Sequence, residues 1–521
     1  MNQSITVLRP EEQIAIKLRE KYHQSDFQLF RLSSFEEYDL YLQNKAFLTN
    51  SDPITFTGND GRLMALNPDV TLSIVKNTPA GKTRRVYYNE DVYRHDRKNG
   101  EYRRINQIGL EMIGALSETS ELEVIRLAME SLLIAGGGSL DISHIALAQD
   151  LKEIFIDEEQ RKIALLAMQT KSQHNMQAVC QKAQLSEELK KQLLELTILT
   201  GEIPLVIDVI QQLHPQFKYT LATIPELTAI ASYLTAYPTL AEKVKLRVDF
   251  SIVNDTDYYS GILFQGFLEG IPDAVLFGGR YDNLLKRQNQ SHGAIGFGMY
   301  LDGIDRVYDT SKEDSDYLNV ALPKGRMGQV VYELLVKAKL VKVGLFDDSR
   351  KLIFEDTENK IRFFLVKPSD VDVYVEKGAA DIGVVGRDVL LESGAEILEL
   401  LDLGIGKCKM SVAGHPNFEA NPSRPLRVAT KYTNIARTYY SQIRQSMELI
   451  QLHGSIELAP LLDLSDVIVD IVETGTTLKE NNLVVLEDIL ESSARLVANP
   501  AAWRFKQASI SNLMTKVSDV L

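Results

Sequence analysis

Cysteine is nearly absent from this sequence: only Cys180 and Cys408 occur, far apart. A disulfide framework and a cysteine metal site are therefore both excluded. Long apolar runs are also missing, since no segment approaches the roughly 20 consecutive apolar residues of a membrane span. The opening MNQSITVLRPEEQIAIK holds no apolar core of signal-peptide length, so a cytoplasmic protein is expected. Positive charge is in short supply, with 57 Lys and Arg against 71 Asp and Glu and a net charge of -14. That balance argues against nonspecific nucleic-acid binding, although it leaves room for a local basic patch. No fixed-period repeat is present. What remains is 45% hydrophobic and 25% charged residues over 521 positions, enough for about three globular domains with real cores.

The most informative stretch runs from Ser465 to Leu478, SDVIVDIVETGTTL. Val467 to Val472 is a β-branched run broken only by Asp470, the composition of a buried strand. It leads into Glu473-Thr474-Gly475-Thr476-Thr477 and then Leu478-Lys479-Glu480-Asn481, which starts like a helix. A strand, a hydroxyl-rich turn and a helix start make an anion cradle, with converging N–H groups and threonine hydroxyls. Asp470 is placed to accept hydrogen bonds from sugar hydroxyls beside a bound phosphate. Phosphoribosyl pyrophosphate carries those parts. The competing reading is an ordinary strand-to-helix connection capped by threonines.

A polar run from Tyr308 to Tyr317 resembles a linker and precedes a new strand at Leu318. Before it, helical stretches (Glu11 to Tyr22, Glu121 to Ala135, Asp157 to Gln184, Glu187 to Leu199, Ile224 to Tyr237) alternate with strand-like pieces. This predicts α+β with an antiparallel sheet. Residues 85–114 read as strand, long polar loop, strand. On the second strand Ile108, Leu110 and Met112 share one face, and Gln107, Gly109 and Glu111 share the other. A carboxamide and a carboxylate flanking a glycine form a polar floor suited to an ammonium group, or else a solvated outer face.

Val92 to Gly114 resembles motif 2 of the class II aminoacyl-tRNA synthetases, and of the histidyl enzyme in particular. Four further segments agree: Leu66 to Thr71, Asp257-Tyr258-Tyr259-Ser260-Gly261, Phe277-Gly-Gly-Arg-Tyr281-Asp282, and Ala294 to Met299. The resemblance implies a site for free histidine lined by Asp69, Thr71, Gln107, Glu111, Tyr258, Tyr259 and Tyr281. Glu111 and Gln107 would hold the α-amino group and the tyrosines would surround the imidazole; Arg94 of motif 2 is kept. Two arginines of the family pattern are replaced, one by Asn254 and the one ending motif 3 by Gly303. Losing two guanidiniums removes charge stabilisation that adenylation needs. No anticodon-binding domain follows. The pattern is similar to the synthetase-like regulatory subunit of ATP phosphoribosyltransferase, a histidine sensor for which no tRNA partner is expected.

Leu318 to Leu521 resembles the short-form catalytic subunit of ATP phosphoribosyltransferase. The matching segments are Ala321 to Arg326, Asp381 to Asp388, Val428 to Arg437, His453 to Pro460, and the Asp470 to Thr477 cradle. The resemblance implies two α/β lobes like a periplasmic binding protein. The expected organisation is a class II synthetase-like α+β regulatory domain over 1–312, a linker at 313–317 and a catalytic domain over 318–521. Lobe one takes about 318–405 plus the C-terminal tail, and lobe two about 406–499.

The implied reaction joins N1 of the adenine of ATP to C1 of phosphoribosyl pyrophosphate with loss of pyrophosphate, the first step of histidine biosynthesis, with histidine as feedback inhibitor. Lys324 and Arg326, at the C-terminal edge of a strand, suit the pyrophosphate or the triphosphate. Thr474, Gly475, Thr476 and Thr477 hold the 5-phosphate, and Asp470 with Glu473 the ribose hydroxyls. Lys431 and Arg437 either face phosphate or are surface charges. Mg²⁺ is expected on the substrate phosphates rather than in a protein cage. A symmetric homo-oligomer, tetramer or octamer, is the matching assembly. Two rivals stand beside this reading: a histidine-activating synthetase with an appendage, and a ligand-binding protein without chemistry.

Overall fold

The computed structural model describes residues 8–44, 51–79, 81–96, 100–253, 258–287, 292–304, 317–345, 351–421 and 423–521. Asn254, Asp257 and most of the 313–317 linker lie outside them. The chain divides into two compact units, Met1–Lys312 and Glu313–Leu521.

The first unit is built on a ten-stranded, mainly antiparallel sheet. At its heart a long hairpin, Arg84–Asp96 with Tyr102–Gly114, pairs onward to Gly293–Tyr300. The hairpin continues on both sides of the polar loop expected there. Ile108, Leu110 and Met112 pack into the main core with Tyr22, Leu132 and Phe297. The pleat therefore turns Gln107, Gly109 and Glu111 to the opposite face. Helix Glu118–Ala135 lies in the same core through Val124, Leu127, Ala128 and Leu132. The stretch expected as one helix from Asp157 to Gln184 is two, Glu158–Gln169 and Gln173–Lys182. Lys171 breaks it: its φ is +56°, and its buried ammonium is tied to Asp249 at 2.7 Å and Thr200 at 2.8 Å. A tertiary ion pair outweighs helical periodicity there.

Among the described residues the second unit has two sheets. One contains strands Leu318–Pro323, Ile353–Asp356, Ile361–Val366, Ile382–Gly386, Leu398–Asp402 and Ala494–Ala498. The other contains Cys408–Gly414, Leu426–Thr430, Met447–Gln451, Val467–Val472 and Val484–Ser492. The chain crosses between them after Asp402 and returns at Ser493, which corrects the expected end of lobe two at 499. Ala494–Ala498 is apolar apart from Arg495, wholly buried, and pairs antiparallel with both Ile382–Gly386 and Leu398–Asp402. Such a strand belongs in a sheet interior, so it joins lobe one. Helices Pro500–Phe505 and Gln507–Ser518 pack there too, through Trp503, Ile510, Leu513 and Val517.

Candidate substrate cleft and amino-acid pocket

In the second unit, strand Val467–Val472 lies mid-sheet between Leu426–Thr430 and Cys408–Gly414. Val467, Ile468 and Val469 are buried, and Asp470 sits where the strand emerges toward solvent. Burial pushes the Asp470 carboxyl up, an effect opposed by the Ile471 N–H at 2.8 Å and by the charge of Lys431. The turn that follows places Gly475 at φ +69°, a left-handed conformation that glycine adopts without strain. Thr474 and Thr476 exchange a hydroxyl contact of 3.0 Å, and the Thr476 N–H points to the Thr474 hydroxyl at 3.4 Å. The helix beyond, Thr476–Glu480, is a single turn that stops at Asn481. Its dipole is correspondingly slight, and the cradle rests on the glycine turn and the exposed hydroxyls.

Strand Leu318–Pro323, parallel to both its neighbours, ends at Lys324 and Gly325, and Arg326 opens helix Arg326–Lys337. Gly328 lets that helix approach, since a Cβ there would lie 1.9 Å from the Pro323 carbonyl. Lys324 and Arg326 are exposed at this sheet edge. Arg326 reaches across to the other lobe, donating to the Glu473 carboxylate at 2.8 Å. The structure thus brings Arg326, Glu473 and the threonine turn together at one cleft. Lys431 lies over the Tyr432 ring, 4.6 Å from its centroid, and Arg437 is an exposed residue of helix Thr433–Gln442.

The first unit holds a second constellation. Glu111 is buried, accepting from the Thr71 hydroxyl at 2.8 Å and the Tyr281 hydroxyl at 2.5 Å. Burial raises its carboxyl to about 8 against those two bonds. Gln107 donates to the Tyr88 hydroxyl at 3.1 Å, and its buried carbonyl oxygen has no partner among the described residues. Tyr281 lies beside Tyr258, 5.8 Å between ring centroids, and Tyr258 meets Tyr259 edge-on at 4.6 Å. Asp69 caps helix Val70–Lys76, accepting from the Leu72 N–H at 2.9 Å, and burial raises its carboxyl as well. Arg94 donates to the Pro68 carbonyl and, at 2.9 Å, to the Tyr300 hydroxyl.

Space above this floor comes from glycine. In register, Gly109 faces Gly298 and Glu111 faces Gly296. A Cβ on Gly298 would lie 2.0 Å from Gln107 Nε2, and one on Gly296 1.7 Å from Glu111 Oε2. The seven residues expected to line a histidine site, and Arg94 of motif 2 with them, thus gather in one place, with Tyr88 and Tyr300 added. Tyr88 was legible in principle, two positions along the hairpin strand from Val86 and opposite Gly109. Gly303, where the family's arginine would stand, occupies a turn at φ +83°, and a Cβ there would meet nothing within 4 Å among the described residues.

A protein from Brachyspira hyodysenteriae named ATP phosphoribosyltransferase is 50% identical over 205 residues, covering 39% of this chain and 100% of its own length. The protein of the same name from Clostridioides difficile is 51% identical over 204 residues, covering 38% of this chain and 96% of itself. The chain belongs to the ATP phosphoribosyltransferase family. That family's model matches residues 367–519, and the model described as Histidyl-tRNA synthetase matches residues 7–304, more than half of this family member. A crystal structure titled an ATP phosphoribosyltransferase regulatory subunit/histidyl-tRNA synthetase, from Bacillus halodurans, aligns with a TM-score of 0.51 at 21% identity. It covers 63% of this chain and 86% of its own, a likeness of fold.

Proposed function

We propose that this phosphoribosyltransferase catalyses the first step of histidine biosynthesis in its 318–521 domain and senses histidine in its 1–312 domain. The observation carrying the catalytic half is the cleft, where Asp470 and the Gly475 turn end a central strand and Arg326 reaches over from the other lobe. In the reaction, adenine N1 of ATP attacks C1 of phosphoribosyl pyrophosphate. The N1–C1 bond forms, the C1–oxygen bond breaks, and its electron pair leaves on pyrophosphate. No protein nucleophile is needed. Thr474 to Thr477 hold the 5-phosphate, Asp470 and Glu473 the ribose hydroxyls, and Lys324 and Arg326 take the charge that develops on the departing group. Arg326 must exchange Glu473 for substrate, and this is easy because their side chains are 83% and 52% exposed.

Among the described residues no cluster of three or more His, Cys, Asp or Glu converges as a metal-ligand set. Asp470 and Glu473 supply the one or two carboxylates that Mg²⁺ uses beside substrate oxygens. When bound, Mg²⁺ would screen the phosphate charges.

For the regulatory half, the buried Glu111 carboxyl and the Gln107 oxygen, which has no partner among the described residues, support capture of an ammonium group beneath the three tyrosines. Gly303 removes the motif 3 guanidinium that ATP activation uses, while Arg94 of motif 2 is kept. Histidine inhibits by binding the active and inactive arrangements with different affinity. Among the described residues no helix is long and apolar enough to cross a membrane; we place the protein in the cytoplasm as a homo-oligomer. The test is incubation with ATP, phosphoribosyl pyrophosphate and Mg²⁺ while following pyrophosphate release. Release that requires both substrates supports the proposal; binding of the sugar donor with no turnover on adding ATP defeats it.

A further inference from the structure

The two lobes of the catalytic unit are joined by more than their crossover strands. Helix Arg387–Ser393 of lobe one directs two carboxylates into lobe two. Asp388, buried, accepts from the Ser492 hydroxyl at 2.9 Å and the Tyr432 hydroxyl at 3.1 Å. Glu392, one turn on, meets the start of helix Thr433–Gln442, where it accepts from the Asn434 N–H at 3.0 Å, the Ile435 N–H at 3.1 Å and the Thr433 hydroxyl at 3.1 Å. The Asn434 side chain returns a bond to the Glu392 carbonyl at 2.8 Å. That helix has no capping side chain of its own. Its orphan N–H groups and positive end are satisfied from the opposite lobe.

Tyr432 links this contact to the cleft. It follows Lys431, whose charge acts on Asp470, and its N–H is held by Thr430, whose hydroxyl donates to the Val469 carbonyl on the Asp470 strand. The side chains on helix Arg387–Ser393 therefore bear on the element that carries Asp470 and the threonine turn.

We propose that Asp388 and Glu392 form an interlobe clamp, setting the angle at which the Asp470–Thr477 segment faces Lys324 and Arg326. Both are positioning residues for the transfer, and neither touches substrate. This rests on the phosphoribosyltransferase reading of the cleft. The sugar donor spans the lobes, with its 5-phosphate on lobe two and its pyrophosphate on lobe one, so only the intact donor registers the angle between them.

The test is calorimetric titration of the full chain with three probes: phosphoribosyl pyrophosphate, ribose 5-phosphate and inorganic pyrophosphate. In Glu392→Ala the affinity for the intact donor falls about tenfold, the scale for losing a charge-assisted bond set. Ribose 5-phosphate and pyrophosphate, each needing one lobe, bind as in the wild type. Tyr432→Phe, which removes only the hydroxyl facing Asp388, shifts the same balance a few-fold and guards against a folding defect in the first variant. The clamp is overturned if both variants bind the intact donor as the wild type does. It is overturned equally if Glu392→Ala weakens ribose 5-phosphate by the same factor as the donor. A wild-type protein that binds neither fragment removes the underlying site assignment, and the clamp's role with it.

Discussion

Replacing Glu111 by glutamine tests the amino-acid pocket through its electrostatics. The Glu111 carboxyl is buried with two hydroxyl donors and sits at about 8 instead of its ordinary 4.5. At 1.36 kcal/mol per unit, that shift corresponds to at most about 5 kcal/mol. Between pH 4.5 and 8 the folded protein keeps a proton that the unfolded chain has released. The unfolded state binds fewer protons, so this group's contribution to stability falls as pH rises through the window and is level outside it. Asp69, raised in the same direction by burial, adds to the slope. The difference between wild type and Glu111→Gln isolates the one group. Calorimetric unfolding suits the first unit, because the single tryptophan, Trp503, lies in the second. The variant's melting point relative to wild type should climb by several degrees between pH 5 and pH 8. Histidine binding at pH 7 should release about one proton from the wild type, read as a dependence of the binding heat on buffer ionisation, and none from Glu111→Gln. Parallel pH profiles for the two proteins, with no proton released, would refute the reasoning.

Gly298→Ala would place a methyl group 2.0 Å from Gln107 Nε2 and 3.0 Å from the Tyr88 hydroxyl, all side-chain neighbours. It should fold, yet lose histidine affinity by tenfold or more in equilibrium dialysis, because the carboxamide is pushed out of the floor. Asp470→Asn should lower kcat/KM for phosphoribosyl pyrophosphate about 10- to 100-fold, the range for a charge-assisted bond to sugar hydroxyls; steady-state rates with ATP saturating decide it. Arg326→Ala should slow transfer strongly while moving the melting point little, since its pair with Glu473 is exposed and worth under about 1 kcal/mol.

Much of the site was readable from local pattern. The β-branched run Val467 to Val472 marked the strand that carries Asp470, and the alternation of Gln107, Gly109 and Glu111 marked a sheet face before any partner strand was known. Gly298 was harder because it joins the pocket through register, and pairing between strands far apart in sequence is not written in either strand alone. Ala494–Ala498 was assigned to the wrong lobe for the same reason: a short buried strand fits the interior of either sheet. Helix Thr476–Glu480 stops after one turn, where Asn482 takes φ +55°, a turn the preceding residues do not announce. Glu392 drew no attention in the sequence, since an acidic residue near a helix end is ordinary; its role appears only when the opposite lobe supplies an uncapped helix.

The central claim is that one chain both makes the phosphoribosyl adduct and reads histidine. Its most direct test is the initial rate of adduct formation, followed by ultraviolet absorbance with ATP, phosphoribosyl pyrophosphate and Mg²⁺, across a histidine titration of wild type and Gly298→Ala. The wild-type rate should fall with histidine, and the variant should start at the same rate and resist inhibition. A histidine titration that leaves both rate and substrate affinity unchanged in the wild type would contradict the claim.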